Sequence, residues 1–124
     1  MSEMKAAVVE GFGEDLVVGD STIPEPGPGQ IRLKVTAAGL CHSDWFLMDL
    51  PEEQYVYPLP LTLGHEGVGV VDMLGDGVEG VEMGGAYAIY GPWGCGQCHA
   101  CSKGAENYCP YAADMGIAPP GLGA

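Results

Sequence analysis

The chain has 124 residues, of which 47% are hydrophobic, with Gly 21 and Pro 10. That is one domain by length, able to bury roughly two-thirds of the surface its unfolded form exposes; the hydrophobic content argues against a disordered chain, and the high glycine and proline content points to turns and strands. Four basic against seventeen acidic residues leave a net charge of −13, which repels phosphate backbones and anionic lipid, so neither nucleic acid nor a membrane is an expected partner.

Residues 1–10 show no basic leader followed by an apolar run, and no stretch of the chain reaches eighteen consecutive apolar residues, so the expected location is cytoplasmic. Lys5–Val9 and Leu16–Val18 are short β-branched runs separated by Gly11, Gly13 and two acids, the pattern of a hairpin-like opening. The loop 24–29, spelled Pro-Glu-Pro-Gly-Pro-Gly, follows. Ile31, Leu33 and Val35 then alternate with Arg32 and Lys34, the period of a half-buried strand that delivers Cys41 at its far end, beyond Gly39. Ser43–Leu50 reads as one or two helical turns with Ser43 as N-cap, stopped by Pro51. A tyrosine- and proline-rich loop occupies 52–60, and Glu66–Leu74 and Ala86–Tyr90 read as strands. No long amphipathic helix is present, which makes the expected domain mainly β.

Four of the five cysteines crowd into GPWGCGQCHACSKGAENYC. Cys95, Cys98, Cys101 and Cys109 form C-x-x-C-x-x-C-x7-C; two-residue gaps let successive thiolates converge on one ion, and four thiolates close a tetrahedral shell with no place for water. Such a site is structural, and zinc is the expected metal. An iron–sulfur cluster is the competing reading, but bacterial ferredoxins continue with x3-C-P where seven residues here precede Cys109-Pro110. His99 lies inside the loop and reads as a solvent-facing residue, since four cysteines suffice.

A second constellation consists of Cys41-His42-Ser43-Asp44 and Gly64-His65-Glu66, at the end of one predicted strand and the start of another. Singly, such residues are commonly a buried thiol or an ordinary loop histidine. Together with the four-cysteine loop, the segments GLCHSD, GHEGVGVV and GCGQCHACSKGAENYC resemble, in order and spacing, the zinc-dependent medium-chain alcohol dehydrogenase family, and the resemblance runs along essentially the whole chain. It implies a GroES-like partial barrel with a four-cysteine zinc-binding lobe at about 91–112, within a catalytic domain, 1–124, truncated before the Rossmann domain of such enzymes.

The resemblance implies further that Cys41 and His65 are ligands of a catalytic zinc, with Glu66 beside them and able to exchange with bound water. Thiolate and imidazole suit a zinc that keeps a position open. Ser43 matches the hydroxyl that accepts the alcohol's proton and passes it on, and Asp44 a carboxylate that hydrogen-bonds the outer nitrogen of the ligand histidine. His42 matches a position near the cofactor's phosphates, and Phe46, Tyr57 and Leu122 match an apolar substrate pocket. A small alcohol, aldehyde or ketone is the implied substrate, NAD(P) the cofactor of a full-length enzyme, and a homo-oligomer is left open. Because the family supplies another zinc ligand and the nucleotide domain beyond the position of Ala124, the second zinc is expected to be held more weakly and full activity is not expected of this chain alone. A stand-alone zinc-binding β module and a zinc hydrolase are the alternative readings.

Gly75-Asp76-Gly77-Val78-Glu79-Gly80 satisfies G-x-G-x-x-G after a predicted strand. A dinucleotide turn must open a helix facing pyrophosphate, whereas here Asp76 and Glu79 place negative charge and Gly84-Gly85 follows closely. The segment is read as a turn between strands. Gly85 departs from the family's usual Gly-Asp pair without touching a ligand.

Overall fold

The structure, a computed structural model, describes residues 3–54, 59–91 and 93–112. Among these residues six strands form two three-stranded antiparallel sheets, one ordered β2-β1-β4 and the other β3-β5-β6. In the first, β1 (Glu3–Val9) pairs with β2 (Val17–Thr22) as the predicted hairpin. Lys5 stands opposite Asp20 and pairs with it across the strands. The third member, β4 (Leu61–Thr62), lies against Val8 and Val9 in a segment that was not expected to hold a strand.

The second sheet positions the site. β3 (Ile31–Ala38) runs three residues beyond its expected end and pairs along its length with β5 (Gly67–Leu74). Two register shifts, at Arg32/Leu33 and Val35/Ala37, bend the ribbon as bulges do. Thr36, inside the second, donates its hydroxyl to the Val68 carbonyl at 3.3 Å. β6 (Ala86–Ala88) completes the sheet on the other side of β5. The exit of β3 and the entry of β5 therefore lie side by side, closed by a 2.8 Å hydrogen bond from Gly39 N–H to the Glu66 carbonyl.

Between β5 and β6 the glycine-rich segment makes turns and opens no helix. Its backbone is engaged with the proline loop: Gly75 N–H donates to the Gln30 carbonyl and Gly29 N–H to the Asp76 carbonyl, each at 2.8 Å. Those contacts use the segment to close the β3–β5 ribbon, in agreement with its reading as a turn.

Among the described residues two short α-helices lie beside the candidate metal residues. α1 (His42–Met48) begins one residue before Ser43, and its N-cap is Cys41. The expected Ser43 cap is thus corrected: the first turn is secured by the Asp44 carboxylate, which accepts from Cys41 N–H at 3.0 Å, the return arm of a capping box. α2 (His99–Ser102) is a single turn within the cysteine lobe. The most buried apolar side chains are Val9, Val71, Leu47, Leu61 and Ala6, drawn from β1, β5, α1 and β4. Many large apolar residues stay exposed, including Leu40, Trp45, Phe46 and Tyr90.

Candidate metal centres

Cys95, Cys98, Cys101 and Cys109 each offer a sulphur atom within 4.8 Å of the other three. A tetrahedral zinc with Zn–S near 2.3 Å separates its sulphurs by about 3.8 Å, so the cluster fits that ion with small adjustments. The chemistry of the donors fits as well. Backbone amides point at the sulphurs: Cys95 Sγ accepts from Gln97 N–H (3.4 Å) and Cys98 N–H (3.3 Å), Cys98 Sγ from Cys101 N–H (3.4 Å), and Cys109 Sγ from Cys95 N–H and Tyr111 N–H (both 3.4 Å). Amides directed at sulphur stabilise thiolates, the form that binds metal. The Gln97 and Cys98 amides hold the Cys95 thiol down to about 7. At Cys101 the Gly96 amide acts the same way but is outweighed by desolvation and by the sulphurs of Cys98 and Cys109, which push it up to about 11.

Glycine is required where the lobe is tightest. A Cβ on Gly94 would sit 2.5 Å from Cys101 Sγ and 2.9 Å from Glu106 side-chain carbons, closer than any side chain approaches. His99, the first residue of α2, is exposed and stands outside the sulphur cluster.

The second cluster unites Cys41, His65 and Glu66, whose ligand atoms likewise lie within 4.8 Å of one another. Cys41 and His65 are half-buried and Glu66 is exposed. Gly64 precedes His65 with φ 117°, a conformation open to glycine and unfavourable for other residues, and it turns the chain into β5. Asp44, 6% exposed, joins the two ligand-bearing segments: one carboxylate oxygen accepts from Cys41 N–H, and the other lies 3.5 Å from His65 Nδ1. A carboxylate at Nδ1 favours the tautomer that leaves the Nε2 lone pair for a metal. Ser43 Oγ lies 3.5 Å from Cys41 Sγ, which donates to it. Three donors of these types beside an open face match a zinc site that keeps a position for a ligand.

That face borders a cleft of about 640 Å³, lined by Ala37, Gly39, His65, Glu66, Ile89 and Tyr90 among others. His42 is exposed at the start of α1 and stacks on Trp45, ring centroids 5.2 Å apart. Phe46 is exposed on the same helix, whereas Tyr57 and Leu122 lie outside the described residues. The loop that pairs Gly39 with Glu66, and the lining residues Ile89 and Tyr90, were not singled out from the sequence; nothing in their residue types marks them.

Residues 27–124 match the family model of the alcohol dehydrogenase GroES-like domain. The chain belongs to that family. Among curated relatives of this GroES-like chain, an L-threonine 3-dehydrogenase from Pyrococcus horikoshii is 34% identical over 98% of the chain and 36% of the relative. An alcohol dehydrogenase from Rhizobium meliloti is 38% identical over 95% of the chain and 35% of the relative. Among solved structures, the cobalt- and zinc-bound thermostable alcohol dehydrogenase from Pyrobaculum aerophilum superposes with a TM-score of 0.85 at 31% identity, over 94% of this chain and 36% of that one. The GroES-like chain thus spans about a third of the length of the relatives it matches. Among its described residues no helix is long and apolar enough to cross a membrane.

Proposed function

We propose that residues 1–124 are the zinc-carrying GroES-like part of an NAD(P)-dependent alcohol dehydrogenase, which moves a hydride reversibly between a small alcohol and nicotinamide. The observation that carries this reading is the convergence of Cys41, His65 and Glu66 within 4.8 Å at the edge of an open cleft, apart from the four-cysteine lobe. A closed thiolate site beside an open mixed site divides the labour between folding and chemistry.

Cys41 Sγ, His65 Nε2 and the Glu66 carboxylate would hold the catalytic zinc. When bound, the ion supplies Lewis-acid charge that makes an alcohol's hydroxyl easier to deprotonate. The chain's own residues do the rest. Ser43 presents a hydroxyl that would accept the substrate proton as it donates its own, and it lies 3.5 Å from Cys41 Sγ, one of the atoms that would hold the ion. Asp44 holds the Cys41 backbone and faces His65 Nδ1 at 3.5 Å, so that closing on the imidazole would orient both ligands. His42, exposed at the start of α1, would meet a phosphate of the cofactor, and the lobe at 91–112 would be the structural zinc unit.

The test joins this chain to the remaining two-thirds of the Pyrobaculum enzyme and measures alcohol-dependent reduction of NAD⁺ and NADP⁺. Turnover that falls at least a hundredfold in His65→Ala supports the reading; equal turnover with and without His65 sinks it. Hydrolysis of an activated ester by the unextended chain, lost in the same variant, would favour a hydrolase instead.

A further inference from the structure

The four sulphurs of the lobe are unequally shielded. Cys95 is exposed, Cys98 and Cys101 are half-buried, and Cys109 is 8% exposed. Gly94 and Gly96 flank Cys95, and among the described residues the space a Cβ on Gly96 would occupy is open. Cys98 is its nearest partner along the chain: Cys98 N–H donates to Cys95 Sγ at 3.3 Å, and the two sulphurs lie within 4.8 Å. Cys98 caps the single-turn helix α2 and can shift without breaking a strand. Cys109 is the opposite case, buried and held by two amides, from Cys95 and Tyr111.

We propose that Cys95 is an oxidation site, at which hydrogen peroxide drives formation of a Cys95–Cys98 disulfide and release of the lobe's metal. The inference rests on reading the lobe as a four-thiolate zinc site. The Cys95 thiolate attacks one peroxide oxygen, the O–O bond breaks, and hydroxide leaves with a sulfenic acid formed on Cys95. The Cys98 thiolate then attacks that sulphur, the S–S bond forms, the S–O bond breaks and a second hydroxide leaves. Two thiolates are oxidised by two electrons in total and one peroxide is reduced to two hydroxides. The lobe is left with the thiolates of Cys101 and Cys109, too few to retain zinc. The lobe thus acts as a peroxide-sensitive element separate from the cleft that would bind substrate.

Because Cys95→Ser would itself remove a ligand, the test leaves the lobe intact. Cys41→Ser protein, whose lobe is unaltered, is loaded with zinc, its zinc counted, and treated with hydrogen peroxide beside the unsubstituted chain. Released zinc is followed with a chromophoric chelator, and the cysteines are mapped by alkylation and peptide mass spectrometry. Met83, 58% exposed, serves as an internal clock through its sulfoxide. The expected result is one zinc released per Cys95–Cys98 disulfide in both proteins before Met83 is substantially oxidised, with Cys101 and Cys109 still alkylatable and reversal by dithiothreitol plus zinc. A first disulfide between Cys101 and Cys109, or complete Met83 sulfoxide with zinc still bound, overturns the proposal while leaving the zinc reading standing. Absence of zinc before peroxide is added sinks the zinc reading and the proposal with it.

Discussion

Asp44 Oδ1 lies 3.5 Å from His65 Nδ1, both atoms are buried, and neither has a hydrogen-bond partner among the described residues. Two buried polar atoms facing each other slightly beyond hydrogen-bond range are costly to leave unpaired. Closing that gap would align His65 with its Nε2 toward Cys41 and Glu66. The other oxygen of the same carboxylate is committed to Cys41 N–H, so one side chain couples both ligand-bearing segments.

Asp44→Asn should therefore weaken metal binding at this site by about 10–100-fold, the usual consequence of losing such a supporting partner. An amide can still accept from Cys41 N–H, but it then turns its NH₂ group toward His65 Nδ1. That favours the tautomer protonated at Nε2, the wrong one for a ligand. Cobalt titration followed by visible absorption reads the effect, with the lobe's four-sulphur signal as an unchanged reference. Unaltered affinity at the Cys41 site would remove Asp44 from its positioning role.

The strands of this fold were legible where the sequence is periodic. Ile31, Leu33 and Val35 marked β3, and the β-branched run from Val68 marked β5. β4 was hidden because two residues carry no period and its partner, Val8–Val9, lies some fifty residues earlier in the chain. Ser43 looked like the cap because hydroxyls usually are; the cap here is Cys41, secured by a carboxylate three residues later. The candidate metal residues were visible as residue types at characteristic spacing. The gathering of the four lobe cysteines followed from that spacing, whereas the meeting of Cys41 with His65 was implied only by the family resemblance, since it depends on the Gly39–Glu66 backbone bond and on the bulges of β3, which no local pattern announces.

Cys95→Ser should destabilise the metal-loaded protein more than Cys41→Ser. A closed structural site contributes its binding free energy to folding, on the order of 10 kcal/mol for four-ligand zinc peptides near neutral pH, whereas an open site mainly serves chemistry. Gly94→Ala should resemble Cys95→Ser, because its Cβ would press on Cys101 Sγ. Thermal melting of the three variants with saturating zinc checks the order. Equal losses for Cys95→Ser and Cys41→Ser would count against the division of roles.

In the metal-free chain the lobe thiols should titrate far apart. Cys95 is lowered to about 7 by the Gln97 and Cys98 amides, so the stabilisation of its thiolate is fully present above the unfolded value near 9 and is lost as pH falls through about 7. Cys101 is raised to about 11, because desolvation and neighbouring sulphurs outweigh the Gly96 amide; the preference for its thiol is present below 9 and lost as pH rises through about 11. Iodoacetamide labelling against pH, resolved by peptide, should show Cys95 half-maximal near 7 and Cys101 last. Coincident profiles would mean that the amides do not act on Cys95 as the geometry requires.

The final prediction concerns how firmly the two metals are held. The lobe gathers four thiolates from residues 95–109, already close along the chain, with backbone amides aimed at the sulphurs. Little ordering remains to be done when zinc binds there. The other site draws Cys41 and His65 from the ends of different strands and completes three donors only with Glu66, which is exposed. Its one buried support is Asp44, at 3.5 Å from His65. Fewer donors and looser preorganisation both favour dissociation. Dialysis against a mild chelator should leave about one zinc per chain, judged from four thiolates outlasting three mixed donors. Cys101→Ser should abolish that zinc, while His65→Ala should leave it unchanged. Atomic absorption on the dialysed proteins decides the matter: retention of two zincs, one of them lost in His65→Ala, would mean that Cys41, His65 and Glu66 make a complete site within residues 1–124.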